Sequence, residues 1–242
     1  MGTIKTKGII LVESNMGDYD KMLTMLTPGL GKISCAAKGA RRPRSLLLSG
    51  TQFLCFGEYV LYKGGEVYNI NSCEPIEIFY NIRTDLDKLK YAVHITKIIN
   101  DVVQENQNCY RILQLFLNTL YVISEKDKNL DLVLSIFKMK LISIIGYMPN
   151  VRCCSNCKTT ENIDSFSFKH NGFLCKDCSK QDTSAIHISE NTKCAIQYII
   201  SSEPKKIFSF CMPEADLKEL QILSKIYFNE KLEKEYKLEE LF

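Results

Sequence analysis

The sequence lacks the features that announce a membrane or exported protein. No stretch reaches the roughly 18 uninterrupted apolar residues of a membrane helix. The short apolar run Ile9-Ile10-Leu11-Val12 is followed by no small-residue cleavage site, so a cytoplasmic protein is expected. HExxH, GxSxG and a glycine-rich dinucleotide fingerprint are all missing, and with them the standard metal-water, nucleophile and cofactor sites. Gly29-Leu-Gly31-Lys32-Ile33-Ser34 superficially approaches a phosphate-binding loop. Leu26 stands where its first glycine belongs, however, and Ile33 where Ser or Thr must meet Mg²⁺. Histidine is scarce, at three residues, of which His94 and His187 are isolated. Excess charge is also lacking: 31 Lys and Arg against 28 Asp and Glu leave a net +3, so an anionic partner must be met by a local patch.

What the chain does contain is enough apolar material for a core, 45% of 242 residues, with 24% charged. Its first eighty residues carry apolar and β-branched runs at about 7–13, 20–27, 31–38, 51–62 and 66–75. Turn residues separate them at Thr27-Pro28-Gly29, at 39–43 and at Lys63-Gly64-Gly65. Five short strands predict a small antiparallel barrel. From about Asp85 the period changes to three and four, predicting helices that begin there and at 109–124, 129–146, 189–202 and 214–229. Gly146 and Pro149 stop the third, and Pro204 and Pro213 separate the last two.

Eleven cysteines are too many to ignore, but they are odd in number and five of them crowd between 153 and 178. Cys154-Ser-Asn-Cys157, seventeen intervening residues, and Cys175-Lys-Asp-Cys178 have the spacing of two zinc knuckles. The segment between them, FSFKHNGFL, contains an Asn171-Gly172 turn that predicts a hairpin bringing the pairs together. Four thiolates leave one structural Zn²⁺ with no open position, so the site replaces a core rather than activating water. Cys153 is an alternative to Cys154, since a CxxxC pair also fits, and His170 is a second, weaker candidate ligand. The remaining cysteines, Cys35, Cys55, Cys73, Cys109, Cys194 and Cys211, sit among apolar neighbours and are expected as inert core residues.

The local basic patch is the segment GKISCAAKGARRPRS, residues 31–45, with Lys32, Lys38, Arg41, Arg42 and Arg44 and no acidic residue. The strands after it carry Phe53, Phe56, Tyr59, Tyr62 and Tyr68. Arginines for phosphates beside rings for bases suggest single-stranded nucleic acid, with at least half of those rings reserved for the core. No repeat or low-complexity tract interrupts this plan.

The opening TKGIILVES, the block YDKMLTMLTPGLGKISCAAKGARRPRS, the FGEYVLYKGG hairpin, and CSNC followed by GFLCKDC occur in the order and spacing of one family. Over essentially its whole length the chain resembles RecO, the bacterial recombination mediator family. The resemblance implies an α+β fold: an N-terminal OB-fold β-barrel over 1–80, then a mainly α-helical domain over 81–242 carrying a four-cysteine zinc finger at about 150–180. It also implies DNA repair and homologous recombination without catalysis. In that role the protein binds single- and double-stranded DNA, anneals complementary strands, and helps RecR load RecA onto DNA coated with single-stranded-DNA-binding protein (SSB), in the cytoplasm at the nucleoid. Carried over by position, Lys38, Arg41, Arg42 and Arg44 match the family's DNA-contacting loop, and the four knuckle cysteines its zinc ligands. Lys158 departs from the pattern, standing where many members have glycine. A protein-interaction scaffold with incidental DNA contact is the competing class, and a zinc hydrolase, which requires an open ligand position, is a third.

Overall fold

A computed structural model describes residues 2–238. The chain forms two compact units, one built from residues up to Glu125 together with Leu238, the other from Lys126–Lys237.

The first unit begins with five strands: β1 (Thr3–Met16), β2 (Asp20–Thr27), β3 (Gly31–Ala37), β4 (Phe56–Gly64) and β5 (Val67–Glu77). They close into a barrel in the order β1-β2-β3-β5-β4, with β3 and β5 parallel, which is an OB-like arrangement. β1 serves two neighbours. Its first half pairs with β4 and its second half with β2, and a bulge between Ile10 and Val12 bends it around the barrel. Gly8 lies at that corner, where an added Cβ would stand 2.7 Å from the Met25 sulfur. Alternate residues point inward, so Leu23, Met25, Ile33, Cys35, Ala37, Tyr59, Leu61 and Ile70 share one core. The Tyr59 hydroxyl satisfies itself on the Gly50 carbonyl at 2.7 Å.

The expectation of a strand beginning at residue 51 is not met, because β4 begins at Phe56. Residues 51–55 close the barrel end instead: Leu54 donates to the Ile10 carbonyl at 3.0 Å while the Ile10 amide donates to Cys55. Leu54 adopts a left-handed backbone, φ 61°, incompatible with continued pairing. After β5 come a single turn, α1 (Tyr80–Arg83), and then α2 (Leu86–Val102) and α3 (Tyr110–Glu125). Asp85 caps α2 by accepting from the Asp87 and Lys88 amides.

The second unit is built on α4 (Leu130–Ile144), which Asn129 caps and which packs against α6 (Glu190–Ser201) and α7 (Glu214–Leu232). The buried Lys140 on α4 donates to the Ile199, Ile200 and Ser202 carbonyls, closing the C-terminal end of α6 with a positive charge. Between α4 and α6 lies a small sheet in the order β7-β6-β8: β6 (Ile163–Ser167), β7 (Gly172–Cys175) and β8 (Ala185–His187), with the single turn α5 (Lys176–Ser179). Phe166 ties this sheet to α7 through an edge-on contact with Tyr227, ring centres 5.3 Å apart.

One cysteine expectation requires correction. Cys35, Cys55 and Cys109 are buried and Cys73 partly so, but Cys194 and Cys211 are exposed. Cys194 lies on the outer side of α6, against Glu190. Cys211 precedes Pro213 in an extended segment and accepts from the Lys128 ammonium at 3.4 Å. Apolar neighbours in sequence did not place either thiol in the core, because helical and extended segments turn adjacent residues outward. No described helix is long and apolar enough to cross a membrane.

Candidate metal centre and nucleic-acid interface

The metal candidate is assembled by backbone hydrogen bonds. The Phe173 amide donates to the Asn150 carbonyl at 2.9 Å, and the Ser155 amide to the Phe173 carbonyl at 2.7 Å, so the first knuckle lies along β7. Gly172 permits the approach: a Cβ there would be 2.3 Å from the Asn150 oxygen. The first knuckle then turns back on itself, Lys158 donating to the Cys154 carbonyl at 3.0 Å and Cys154 to that of Thr159 at 2.7 Å. Lys158 takes φ 66°, the left-handed conformation that glycine adopts without strain, so the turn forms with a lysine in place. Cys175 ends β7 and Cys178 follows on α5.

The outcome is that the sulfurs of Cys154, Cys157, Cys175 and Cys178 all lie within 4.8 Å of one another, those of Cys157 and Cys175 at 3.6 Å. A tetrahedron with ~2.3 Å metal–sulfur bonds has edges of about 3.8 Å, so the donor set fits a four-coordinate soft cation and leaves no ligand position open. Charge points the same way. Burial pushes the Cys154 thiol up, but the backbone amides of Cys175, Cys157 and Asn156 donate to its sulfur and bring it down to about 6. At Cys157 the Thr159 amide favours the thiolate, yet the neighbouring sulfurs of Cys154, Cys175 and Cys178 help push it to about 12. Four thiolates this close are stable together only around a cation. Cys153 lies outside the cluster, its sulfur 3.6 Å from the Asn150 side-chain amide. His170 also lies outside it, exposed in the hairpin turn.

The basic loop follows β3. Its root is fixed: Ala40 is fully buried in the barrel core, the Gly39 amide donates to Asp20 Oδ1 at 2.7 Å, and the Arg41 amide donates to the Tyr19 carbonyl at 2.9 Å. Arg41 Nη1 reaches the Gly17 carbonyl at 3.2 Å. The loop is therefore welded to the turn between β1 and β2. Lys38, Arg41, Arg42 and Arg44 are all exposed, and among the described residues none of them has a carboxylate within ion-pair distance. Lys32 stands apart from these four. It is half-buried on β3 and its ammonium donates to the Asn100 carbonyl near the end of α2, a stabilising place for a cation.

The strand aromatics divide. Tyr59 and Tyr68 are buried, Phe53 and Phe56 are partly so, and Tyr62 is 38% exposed. The ring beside the arginines is instead Tyr19, 51% exposed, with the Arg42 guanidinium 5.4 Å from its centroid. Sequence reasoning passed over it because it belongs to no apolar run. Its signal is a tyrosine inside the polar turn Gly17-Asp18-Tyr19, out of period with both flanking strands.

Comparison with known proteins agrees along the chain. The family described as Recombination protein O N terminal matches residues 1–79, and Recombination protein O C terminal matches 83–240. The DNA repair protein RecO of Acetivibrio thermocellus is 46% identical over 238 residues, covering 98% of this chain and 94% of that protein. That of Alkaliphilus metalliredigens is 35% identical, covering 84% and 83%, and that of a Thermoanaerobacter species 31%, covering 98% and 96%.

Proposed function

The chain belongs to the RecO family of DNA repair proteins, and from that premise we propose that it is a recombination mediator acting without catalysis. It binds single- and double-stranded DNA, anneals complementary strands, and with RecR helps load RecA onto SSB-coated DNA. Residues 1–80 are the nucleic-acid-binding domain. Residues 81–242 are the helical domain, whose insert at about 150–180 holds one structural Zn²⁺ through Cys154, Cys157, Cys175 and Cys178. The protein works in the cytoplasm, at the nucleoid.

The observation that carries the reading is the hydrogen-bonded root of the loop bearing Lys38, Arg41, Arg42 and Arg44, whose side chains are exposed and, among the described residues, have no carboxylate partner. Such a loop presents cations to phosphates with little ordering cost. Lys32, committed to Asn100, supports β3 beneath it. A closed tetrathiolate favours a structural metal over a hydrolytic one, since it leaves no position for water.

The test is annealing of complementary labelled single strands, without ATP and across a salt series, by wild type and by the Arg41→Ala, Arg42→Ala, Arg44→Ala triple variant. Wild type is expected to anneal in a salt-sensitive way. The variant should bind single strands more weakly, with the slope of log K against log salt reduced by about 2 if each arginine meets one phosphate. Unchanged affinity in the variant refutes the role of the loop. Absence of annealing by folded, metal-loaded wild type favours the scaffold.

A further inference from the structure

Burial removes Tyr59 and Tyr68 as stacking platforms, and Tyr62, 38% exposed, lies on β4 opposite Thr3 rather than in the basic loop or the turn that holds it. Tyr59 is fully enclosed with its hydroxyl bonded to Gly50, and Tyr68 is 8% exposed. The exposed rings of Tyr80, Tyr110 and Tyr121 lie on the helices α1 and α3. Tyr19 differs from all of these. It stands in the β1–β2 turn, half exposed, and its backbone carbonyl holds the Arg41 amide.

The Arg42 guanidinium lies over the ring. A guanidinium is planar and weakly hydrated, so it can stack on a ring while its edge keeps donors free for phosphate. One side of Tyr19 is then supported by a cation and the ring retains area for a second planar group. Arg41, Arg42 and Arg44 are in the same loop, so a phosphate held there brings its own base towards the turn. We propose that Tyr19 is a base-stacking platform backed by Arg42, and that the site therefore selects nucleic acid with accessible, unpaired bases over fully paired duplex. A paired base already has both faces stacked and offers nothing to the ring, whereas an unpaired one has a free π-face whatever its identity. Because ring and arginines hang from one hydrogen-bonded root, little order is lost on binding. This inference rests on the loop being a nucleic-acid site.

The experiment compares an oligothymidylate with an abasic strand of the same length and phosphate count, using the full chain. Wild type is expected to bind the base-bearing strand about tenfold tighter, a preference that persists as salt rises, because stacking involves no counterion release. Tyr19→Ala should lose most of that preference while keeping its affinity for the abasic strand, and Tyr19→Phe should retain it. Thermal unfolding of each variant checks that the exposed substitution leaves the fold intact. Equal wild-type affinity for the two strands, or a full preference surviving in Tyr19→Ala, overturns the inference. The arginine triple variant separates the two levels. If it loses affinity for both strands while Tyr19→Ala behaves as wild type, the loop reading stands and the stacking role falls. If it binds both strands as wild type does, the loop reading falls and the inference with it.

Discussion

The Asp20 carboxylate accepts a hydrogen bond from the Gly39 amide at 2.7 Å, so a negatively charged side chain holds the root of a positively charged loop. Simple electrostatics and preorganisation then make opposite predictions for its removal. Asp20→Ala deletes a negative charge, which by itself strengthens binding of an anion, but it also frees the loop. A hydrogen bond to a charged group contributes about 1.5–3 kcal/mol. Asp20→Ala is therefore expected to weaken oligonucleotide binding about three- to tenfold, as part of that ordering is lost to binding. Asp20→Asn, which keeps an acceptor oxygen and loses the charge, should bind as tightly as wild type or more so. Fluorescence anisotropy at fixed salt measures both. Tighter binding by Asp20→Ala would show that charge alone governs the loop.

Lys158 presents a different balance. Its φ of 66° costs an ordinary residue about 1–2 kcal/mol, while its ammonium recovers part of this on the Ser155 carbonyl at 2.8 Å. Lys158→Gly removes both the strain and the bond. The expected net effect is a stabilisation of about 0.5–1 kcal/mol, read as slower metal loss to a chelator and a higher unfolding midpoint. Faster metal loss would mean that the lysine contact outweighs the strain.

Lys138 is 5% exposed on α4, with its ammonium over the Phe228 ring at 5.9 Å. Burial, aided by the nearby Lys225 charge, brings it down to about 8. The folded state thus releases the proton before the unfolded chain does. Between pH 8 and about 10.5 the unfolded state binds more protons, so this group's contribution to stability improves as pH rises; below 8 the full cost of a buried charge remains. Lys138→Met keeps the apolar stem and discards the charge. Its stability advantage over wild type is expected to be largest below pH 8 and to shrink by on the order of 1–3 kcal/mol towards pH 10.5. Denaturant titrations of both proteins across that range measure the difference, and a constant gap would place the lysine in water.

The barrel was legible because β2 and β3 are short apolar runs, with Leu23 and Met25 or Ile33 and Cys35 inward, set between glycine turns. The long helices were legible for the corresponding reason at the helical period. Residues 51–55 were not, since Phe53, Leu54 and Cys55 look like strand and only their bonds to Ile10 reveal a closing turn. The four-cysteine cluster followed from spacing, but the choice between Cys153 and Cys154 needed three dimensions: the bond from Ser155 to Phe173 lays the knuckle along β7 with Cys154 facing Cys175. Tyr19 was illegible because its value comes from Arg42, twenty-three positions away, and no periodicity links a turn to a loop.

The four-cysteine cluster and the basic loop belong to different compact units. Cys154 and Cys175 are buried with Leu174 in a cluster far too small to fold alone, so a cation bound there would supply the local folding energy of residues 150–180. Loss should spread from there to α7, because Phe166 packs on Tyr227 and the Tyr227 hydroxyl donates to the Tyr147 carbonyl at 2.9 Å. The basic loop belongs to the other compact unit and is held by Ala40, Asp20 and Tyr19. Cys175→Ser, or chelation of the wild type, is therefore expected to release metal and raise amide exchange across 150–180 and α7. Single-strand affinity should stay within about twofold, since the phosphate contacts proposed for the basic loop lie in the other unit. Elemental analysis, hydrogen exchange and anisotropy on the same samples decide it. A variant that keeps its metal yet loses DNA would assign the cysteine module to the nucleic-acid interface, and one that loses metal without loosening would show that the thirty-residue insert holds its shape without a cation.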